Sequence, residues 1–433
     1  MDVDETFQPR GNGDWVRASG SVNERPGELK KRPMNEERWL LPAGIEEVLP
    51  PEAQIIESLR RDLLDLYAGW GYELVIPPFI DYLESLLTGT GQDLDLQTFK
   101  LIDQLTGRLL GVRADMTPQV ARMDAHHLRR DVPTRLCYLG TVLHTRPDGF
   151  ASTRSPLQIG AEIYGHAGIE SDAEILQLVM LTLRTAGITE SYLDLGHVGI
   201  YRGLACQAGL DAAQEHALFG ALQRKAVPEI ESLIGRFGLS GPIADMLASL
   251  AELNGADALV RAEEALRAAD RPVREALDYL RGLAEELHRW LPEVGVHYDL
   301  AELRGYRYKT GVVFAAFVPD WGLEIARGGR YDDIGQVFGR ARPAVGFSTD
   351  LKGLLRHGKR LEERVQDSGR ILAPWSSDPA LREAVERLRA SGRIVINALP
   401  GFEQDPRQLG CQQQLVSRDG RWEPHDIDTI DNQ

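Results

Sequence analysis

AELRGYRYKTGVVFAAF (301–317), LEIARGGRYDD (323–333) and PAVGFSTDLKGLLR (343–356) are the stretches that decide the fold. Runs of β-branched, aromatic and small residues stand between glycine-bearing turns, the pattern of strands joined by tight connections. The chain from Val312 to Phe347 reads as three strands, and 349–358 as the helix that follows the last of them. The glycines of GGRYD (328–332) permit positive φ or close packing against a ligand.

Working outward, YELVIPPFI (72–80) reads as a strand. Pro77 and Pro78 near its end give it no ladder donors there, so it belongs at an edge or an interface. Residues 98–113 read as a hairpin turning at Thr106 and Gly107, and 117–130 as a helix with Pro118 just inside its start. Segments 135–145 and 156–165 read as two strands, 171–187 as a helix with a Ser171–Glu174 capping box, and 191–198 as a strand. Between Tyr201 and Pro292 the composition turns to Ala, Leu, Glu and Arg at helical spacing, which predicts an inserted helical subdomain. A strand at 296–303 precedes the decisive stretches, and a charged linker follows them. RILAPW, DPALREAVERLRASG and RIVINAL then make a β-α-β unit, closed by a hairpin at Asp419–Gly420. The expected organisation is a tail (1–36), a core in two parts (37–200 and 293–357), a helical insertion (201–292), a linker (358–369) and a small C-terminal α/β domain (370–433). The fold class is α+β, an antiparallel sheet flanked by helices.

Composition narrows the function. A hydrophobic fraction of 43% and a charged fraction of 26% are those of an ordinary globular protein. The net charge of −16 argues against broad binding to nucleic acid, whose affinity comes from clustered Lys and Arg. No apolar run is long enough to span a bilayer, and the polar start MDVDETFQPRGNGDW lacks a signal-peptide core. Cys137, Cys206 and Cys411 have neither metal-ligand nor disulfide spacing, so no metal and a reducing, cytoplasmic setting are expected.

From about Leu41 to Leu355 the chain resembles a class II aminoacyl-tRNA synthetase core of the histidyl type. GYELVIPP resembles the family's dimer-forming strand, with Pro78 at its proline. VRADMTPQVAR (112–122) is similar to the segment in which an acid and a threonine meet the amino acid's ammonium, here Asp115 and Thr117. QIGAEIYG (158–165) is similar to the strand that supplies Gln158 and Glu162 to the amino-acid pocket; their even spacing puts both on one strand face. RGYRYKTG (304–311) matches the histidine-reading motif at Arg304 and Tyr308, although Arg307 and Lys309 replace a family acid and tyrosine. GGRYD matches the second such motif. Read without the family, Asp115 caps the helix beginning near Thr117, and GGRYD is a bend with an Arg330–Asp332 salt bridge.

The likeness breaks where a synthetase grips ATP. Arginine forks match phosphoryl oxygens. The two family arginines correspond here to His144, followed by Arg146, and to Gly353. Lys352 is turned about 100° away on the helix, and Arg356 lies one turn on. The C-terminal unit is also shorter than an anticodon-binding domain. This combination, with MTPQVAR, GGRYD and PAVGFSTDL, resembles the ATP phosphoribosyltransferase regulatory subunits. That resemblance implies a non-catalytic subunit without cofactor, which joins a short-form catalytic ATP phosphoribosyltransferase in the first step of histidine biosynthesis. It implies activation of the partner, histidine as inhibitory effector, and a homodimer through the core within a hetero-oligomer. It assigns the effector site to Asp115, Thr117, Gln158, Glu162, Arg304 and Tyr308. An active histidyl-tRNA synthetase and a tRNA-independent amino-acid ligase are the alternatives, and both require adenylate formation.

Overall fold

The strands, in chain order, are β1 (Glu73–Leu74), β2 (Ile80–Tyr82), β3 (Lys100–Ile102), β4 (Leu109–Val112), β5 (Thr134–Thr141), β6 (Leu157–Tyr164), β7 (Tyr192–His197) and β8 (Asn254–Gly255). They continue as β9 (Gly295–Asp299), β10 (Val312–Phe317), β11 (Glu324–Arg330), β12 (Ala344–Asp350), β13 (Arg370–Ala373), β14 (Val395–Asn397), β15 (Cys411–Arg418) and β16 (Arg421–Asp426). The helices are α1 (Glu52–Gly69), α2 (Leu83–Leu87), α3 (Gln92–Gln97), α4 (Thr117–Arg122), α5 (Ile169–Thr185), α6 (Val198–Gln207) and α7 (Ala212–Gln223). After them come α8 (Val227–Arg236), α9 (Pro242–Ser249), α10 (Ala258–Ala265), α11 (Arg271–Trp290), α12 (Leu351–His357) and α13 (Pro379–Ala390). This is a computed structural model that describes residues 39–88, 92–147, 153–302, 305–306, 308–319, 321–358, 369–401 and 405–427. The tail 1–36, Arg304, Arg307 and residues 359–368 of the linker lie outside the described residues.

Nine strands form the main sheet among the described residues, in the order β1-β5-β6-β12-β11-β10-β7-β9-β8. The run from β5 to β7 is antiparallel throughout, as the sequence predicts. The expectation of a purely antiparallel sheet needs one correction: β1 pairs parallel to β5, and β7 parallel to β9. Parallel neighbours need a long crossover. The β7–β9 crossover is the helical insertion itself, α6 to α11. Leu218, Leu222, Ile230, Leu247 and Leu280 of those helices share one hydrophobic core with Ile159, Leu176 and Leu195.

Side-chain alternation builds the site face. On β6, Ile159, Ala161 and Ile163 enter the main core, which leaves Gln158, Gly160, Glu162 and Tyr164 on the opposite face. Register then aligns Glu162 with Gly346 of β12, and Gly346 with Gly329 of β11. A Cβ on Gly160 would lie 2.6 Å from Cζ of Tyr138, so only glycine lets that ring cover the strand.

Two local expectations changed. The capping box does not form: α5 starts at Ile169 behind Gly168, two residues before Ser171. Glu174 is instead held by Arg135 (2.6 and 2.7 Å) and by Tyr72 (3.0 Å), stronger partners than one backbone N–H. The predicted strand 72–80 is interrupted, with only Glu73–Leu74 and Ile80–Tyr82 paired, because Pro77 and Pro78 donate nothing between them.

A three-stranded sheet, β2-β4-β3, lies beside the β1 segment in sequence and turns apolar side chains outward. Ile102 is 69% and Leu109 54% exposed, and Ile80 and Leu101 of the same sheet are exposed too. Residues 370–427 carry a separate four-stranded sheet, β14-β13-β15-β16. β13, α13 and β14 are the predicted β-α-β unit, and the β15–β16 hairpin turns at Asp419 and Gly420, both at positive φ.

Candidate functional site

A cavity of about 630 Å³ opens over the face of β6, β12 and β11. Its size is that of a small-molecule site. Asp115, Thr117, Gln158 and Tyr308 line it, so four of the six sequence-predicted residues meet there.

Asp115, Thr117 and Gln158 form one hydrogen-bonded cluster. Gln158 Nε2 donates to Asp115 Oδ1 (2.8 Å), and the Met116 amide donates to Gln158 Oε1 (3.0 Å). Asp115 Oδ1 also accepts from the Thr117 amide (3.0 Å), so Asp115 shapes the turn into α4 and faces the cavity at once. The Thr117 hydroxyl lies 3.1 Å from that of Tyr138. A carboxylate, an amide and a hydroxyl converging this way suit a ligand that donates several hydrogen bonds, as an ammonium does.

Glu162 lies beneath this group rather than on the cavity wall. It is 1% exposed, and Tyr164 donates its hydroxyl to one carboxylate oxygen, while the other has no hydrogen-bond partner among the described residues. Burial, above all, pushes the Glu162 carboxyl up to about 8, despite the Tyr164 hydrogen bond. The Tyr331 ring, which does line the cavity, has a buried hydroxyl that likewise lacks a hydrogen-bond partner among the described residues. Gly346 separates these groups from the open space. A Cβ there would sit 2.6 Å from Cγ of Glu162 and 2.8 Å from the Ala161 carbonyl, so the position admits no side chain.

Tyr308 stands at the mouth, 41% exposed. Lys309, which replaces a family tyrosine, is buried and donates from Nζ to the Gly328 carbonyl (2.5 Å). Arg330 of GGRYD does not line the cavity; it is buried against Asp172 (2.6 Å), Ser171 (2.9 Å) and Asp332 (3.2 Å). The Asp332 bridge read from sequence exists, but Asp172 is the closer and more buried partner.

At the two ATP-gripping positions, 144 and 353, the chain has no arginine, although Arg224 and Arg327 line the cavity elsewhere. His144 lines it, with Nε2 2.8 Å from the Ala114 carbonyl, while Arg146 stands outside. At Gly353 the amide donates to Asp350 (3.2 Å), which caps α12. Lys352 is drawn to Glu46 (3.1 Å) and the Ser155 carbonyl (3.0 Å), and Arg356 approaches Glu46 at 3.6 Å. Neither is among the residues that line the cavity.

A family model described as histidyl-tRNA synthetase matches residues 44–354, and one described as the ATP phosphoribosyltransferase subunit HisZ C-terminal domain matches 368–424. The ATP phosphoribosyltransferase regulatory subunit of Thioalkalivibrio sulfidiphilus is 58% identical over 386 residues, 89% of this chain and 97% of that one. Its counterpart in Alkalilimnicola ehrlichii is 56% identical, over 88% of this chain and 96% of that one. The chain belongs to the ATP phosphoribosyltransferase regulatory subunit family. A solved regulatory subunit/histidyl-tRNA synthetase from Bacillus halodurans is 26% identical, with a TM-score of 0.76 over 86% of this chain and 96% of its own. Histidyl-tRNA synthetase from Nostoc shares the fold (TM-score 0.71, 17% identity, 91% of this chain and 98% of that one). A regulatory subunit of this family therefore keeps a class II synthetase core and ends in a C-terminal unit of its own kind. One wall of its cavity was not foreseen from sequence: His216, Phe219, Gly220 and Gln223 of α7 line it.

Proposed function

We propose that this chain is the non-catalytic regulatory subunit of a short-form ATP phosphoribosyltransferase in the first step of histidine biosynthesis. It activates that catalytic subunit and binds the histidine that inhibits the complex. The observation that carries this reading is a site with two halves of opposite character. Acceptors for an amino acid are assembled at Asp115, Thr117 and Gln158, whereas the phosphate-gripping positions are His144 and Gly353, with Lys352 and Arg356 committed to Glu46. Removing one such preorganised donor costs about 10²–10³ in rate, so loss of two leaves no useful adenylation.

In this reading Asp115, Thr117 and Gln158 receive the α-ammonium. Glu162 backs this cluster from beneath the cavity wall, beside Thr117 and Tyr138, and Arg304 and Tyr308 complete the pocket. The outward apolar face of β2-β4-β3, continuous in sequence with the Pro78 strand, serves a homodimer within the hetero-oligomer. The protein works in the cytoplasm, and no described helix is long and apolar enough to cross a membrane.

Mixing tests the proposal. Adding the chain to a purified short catalytic subunit is expected to raise phosphoribosyl transfer, and histidine to lower it again. A coupling of about 1–3 kcal/mol would move histidine affinity by roughly 5–150-fold between the two states of the assembly. A catalytic subunit whose rate and histidine response ignore the added chain would reject the reading.

A further inference from the structure

The insertion does more than bridge β7 and β9. Helix α7 is two-sided: Leu218, Ala221 and Leu222 are buried in the core, whereas His216, Phe219, Gly220 and Gln223 face the cavity. Those four positions follow the i, i+3, i+4, i+7 pattern of one helix stripe. Gly220 puts no side chain in the middle of the stripe, and Arg224 Nη1 lies 3.4 Å from where its Cβ would be. The rings of His216 and Phe219 are close to parallel, 16° apart with centroids at 6.2 Å.

The same helix grips the loop that carries Tyr308 and Lys309. The Tyr306 ring packs on Phe219 of α7 (5.2 Å between centroids) and on Tyr201 of α6 (5.4 Å). The Tyr306 hydroxyl donates to the Glu215 carboxylate, and the Tyr201 hydroxyl to the Glu215 carbonyl (2.6 Å). Arg202 stands 4.9 Å over the Tyr306 ring and donates to the carbonyls of Tyr306 (3.0 Å) and Lys309 (3.2 Å). On its other side the loop reaches the sheet floor through Lys309 and the Gly328 carbonyl. Tyr306 and Lys309 are thus pinned between α6–α7 and the floor, and α7, these residues and the floor all line the cavity.

We propose that α7 is a wall of the effector site, contacting a zwitterionic amino acid with a flat ring through His216, Phe219 and Gln223, and that Tyr306 is the positioning residue that couples pocket occupancy to the helical insertion. This rests on the reading of the cavity as a histidine site. A ligand held between helix and floor restrains α7, and the Tyr306–Glu215 hydrogen bond carries that restraint from the loop to the helix. The insertion is then the element that registers whether histidine is bound.

Hydrogen exchange of the full-length chain, with and without saturating histidine, tests this; binding is checked independently by calorimetry. Histidine is expected to slow exchange across 212–223 by about tenfold or more in the original protein. Tyr306→Phe keeps the stacked ring but loses the hydroxyl, and less than about twofold protection is expected at saturation. Glu215→Gln keeps an acceptor for Tyr306 and should retain most of the protection, which a merely destabilised helix would not. Histidine binding without added protection of 212–223, or full protection in Tyr306→Phe, overturns the inference and leaves the histidine reading intact. No calorimetric binding of histidine overturns both.

Discussion

Replacing Glu162 with Gln is expected to make the protein more stable near neutral pH and to weaken histidine binding. The Glu162 carboxyl is buried and holds its proton to about pH 8. In the unfolded chain a glutamate releases its proton near pH 4.3. Between these values the folded state binds more protons than the unfolded one, so stability falls as pH rises; below and above the window this contribution is flat. The slope is about 1.4 kcal/mol per pH unit, so the advantage of Glu162→Gln over the original should widen by roughly 2–3 kcal/mol from pH 5.5 to 7.5. Chemical denaturation at the two pH values reads this directly. Binding moves the other way. Glu162 is neutral at these pH values, and losing a neutral hydrogen bond costs about 0.5–1.5 kcal/mol, so histidine affinity should drop by about 2–10-fold. A variant with unchanged affinity would remove Glu162 from the site, and one with a pH-independent stability gain would remove the buried proton.

Arg330→Met is expected to give the largest loss of stability. Arg330 and Asp172 are both buried, and Asp172 also accepts from Tyr279 of α11 (2.6 Å). Burial works against the charge on Arg330, but Asp172 outweighs it and holds the guanidinium charged. Arg330 also donates to the carbonyls of His166 (3.0 Å) and Gly168 (3.3 Å), which fixes the start of α5. Removing one partner of such a pair leaves a stranded buried charge and costs about 3–5 kcal/mol. The double variant Arg330→Met/Asp172→Asn should recover part of that loss, since the stranded carboxylate is gone. Full additivity of the two single changes would mean that the pair is not coupled.

These two residues show how far the sequence could be read. Strand alternation put Gln158 and Glu162 on one face, and the structure agrees, because period-2 geometry is local. What alternation could not give was depth: Gly346 and Tyr331 set Glu162 below the cavity wall, and only strand register across β6, β12 and β11 determines that. GGRYD marked the right place for a partly different reason. Tyr331 lines the cavity, whereas Arg330 fastens α5 and α11 to the sheet. The α7 wall was invisible because His216, Phe219 and Gln223 resemble any helix surface until the chain between β7 and β9 folds back over the sheet. The parallel pairings at β1 and β9 were missed for the same reason, as both depend on long crossovers. The failed Ser171–Glu174 cap was a competition that a local motif lost to Arg135 across the fold.

In the proposed reading the site keeps amino-acid acceptors and has lost its grip on a triphosphate. Histidine-dependent exchange of pyrophosphate into ATP by the isolated, purified chain tests that most directly. Exchange should stay at background at histidine concentrations that saturate the site in calorimetry. Steady exchange, with histidyl-adenylate recovered from the reaction, would contradict that reading.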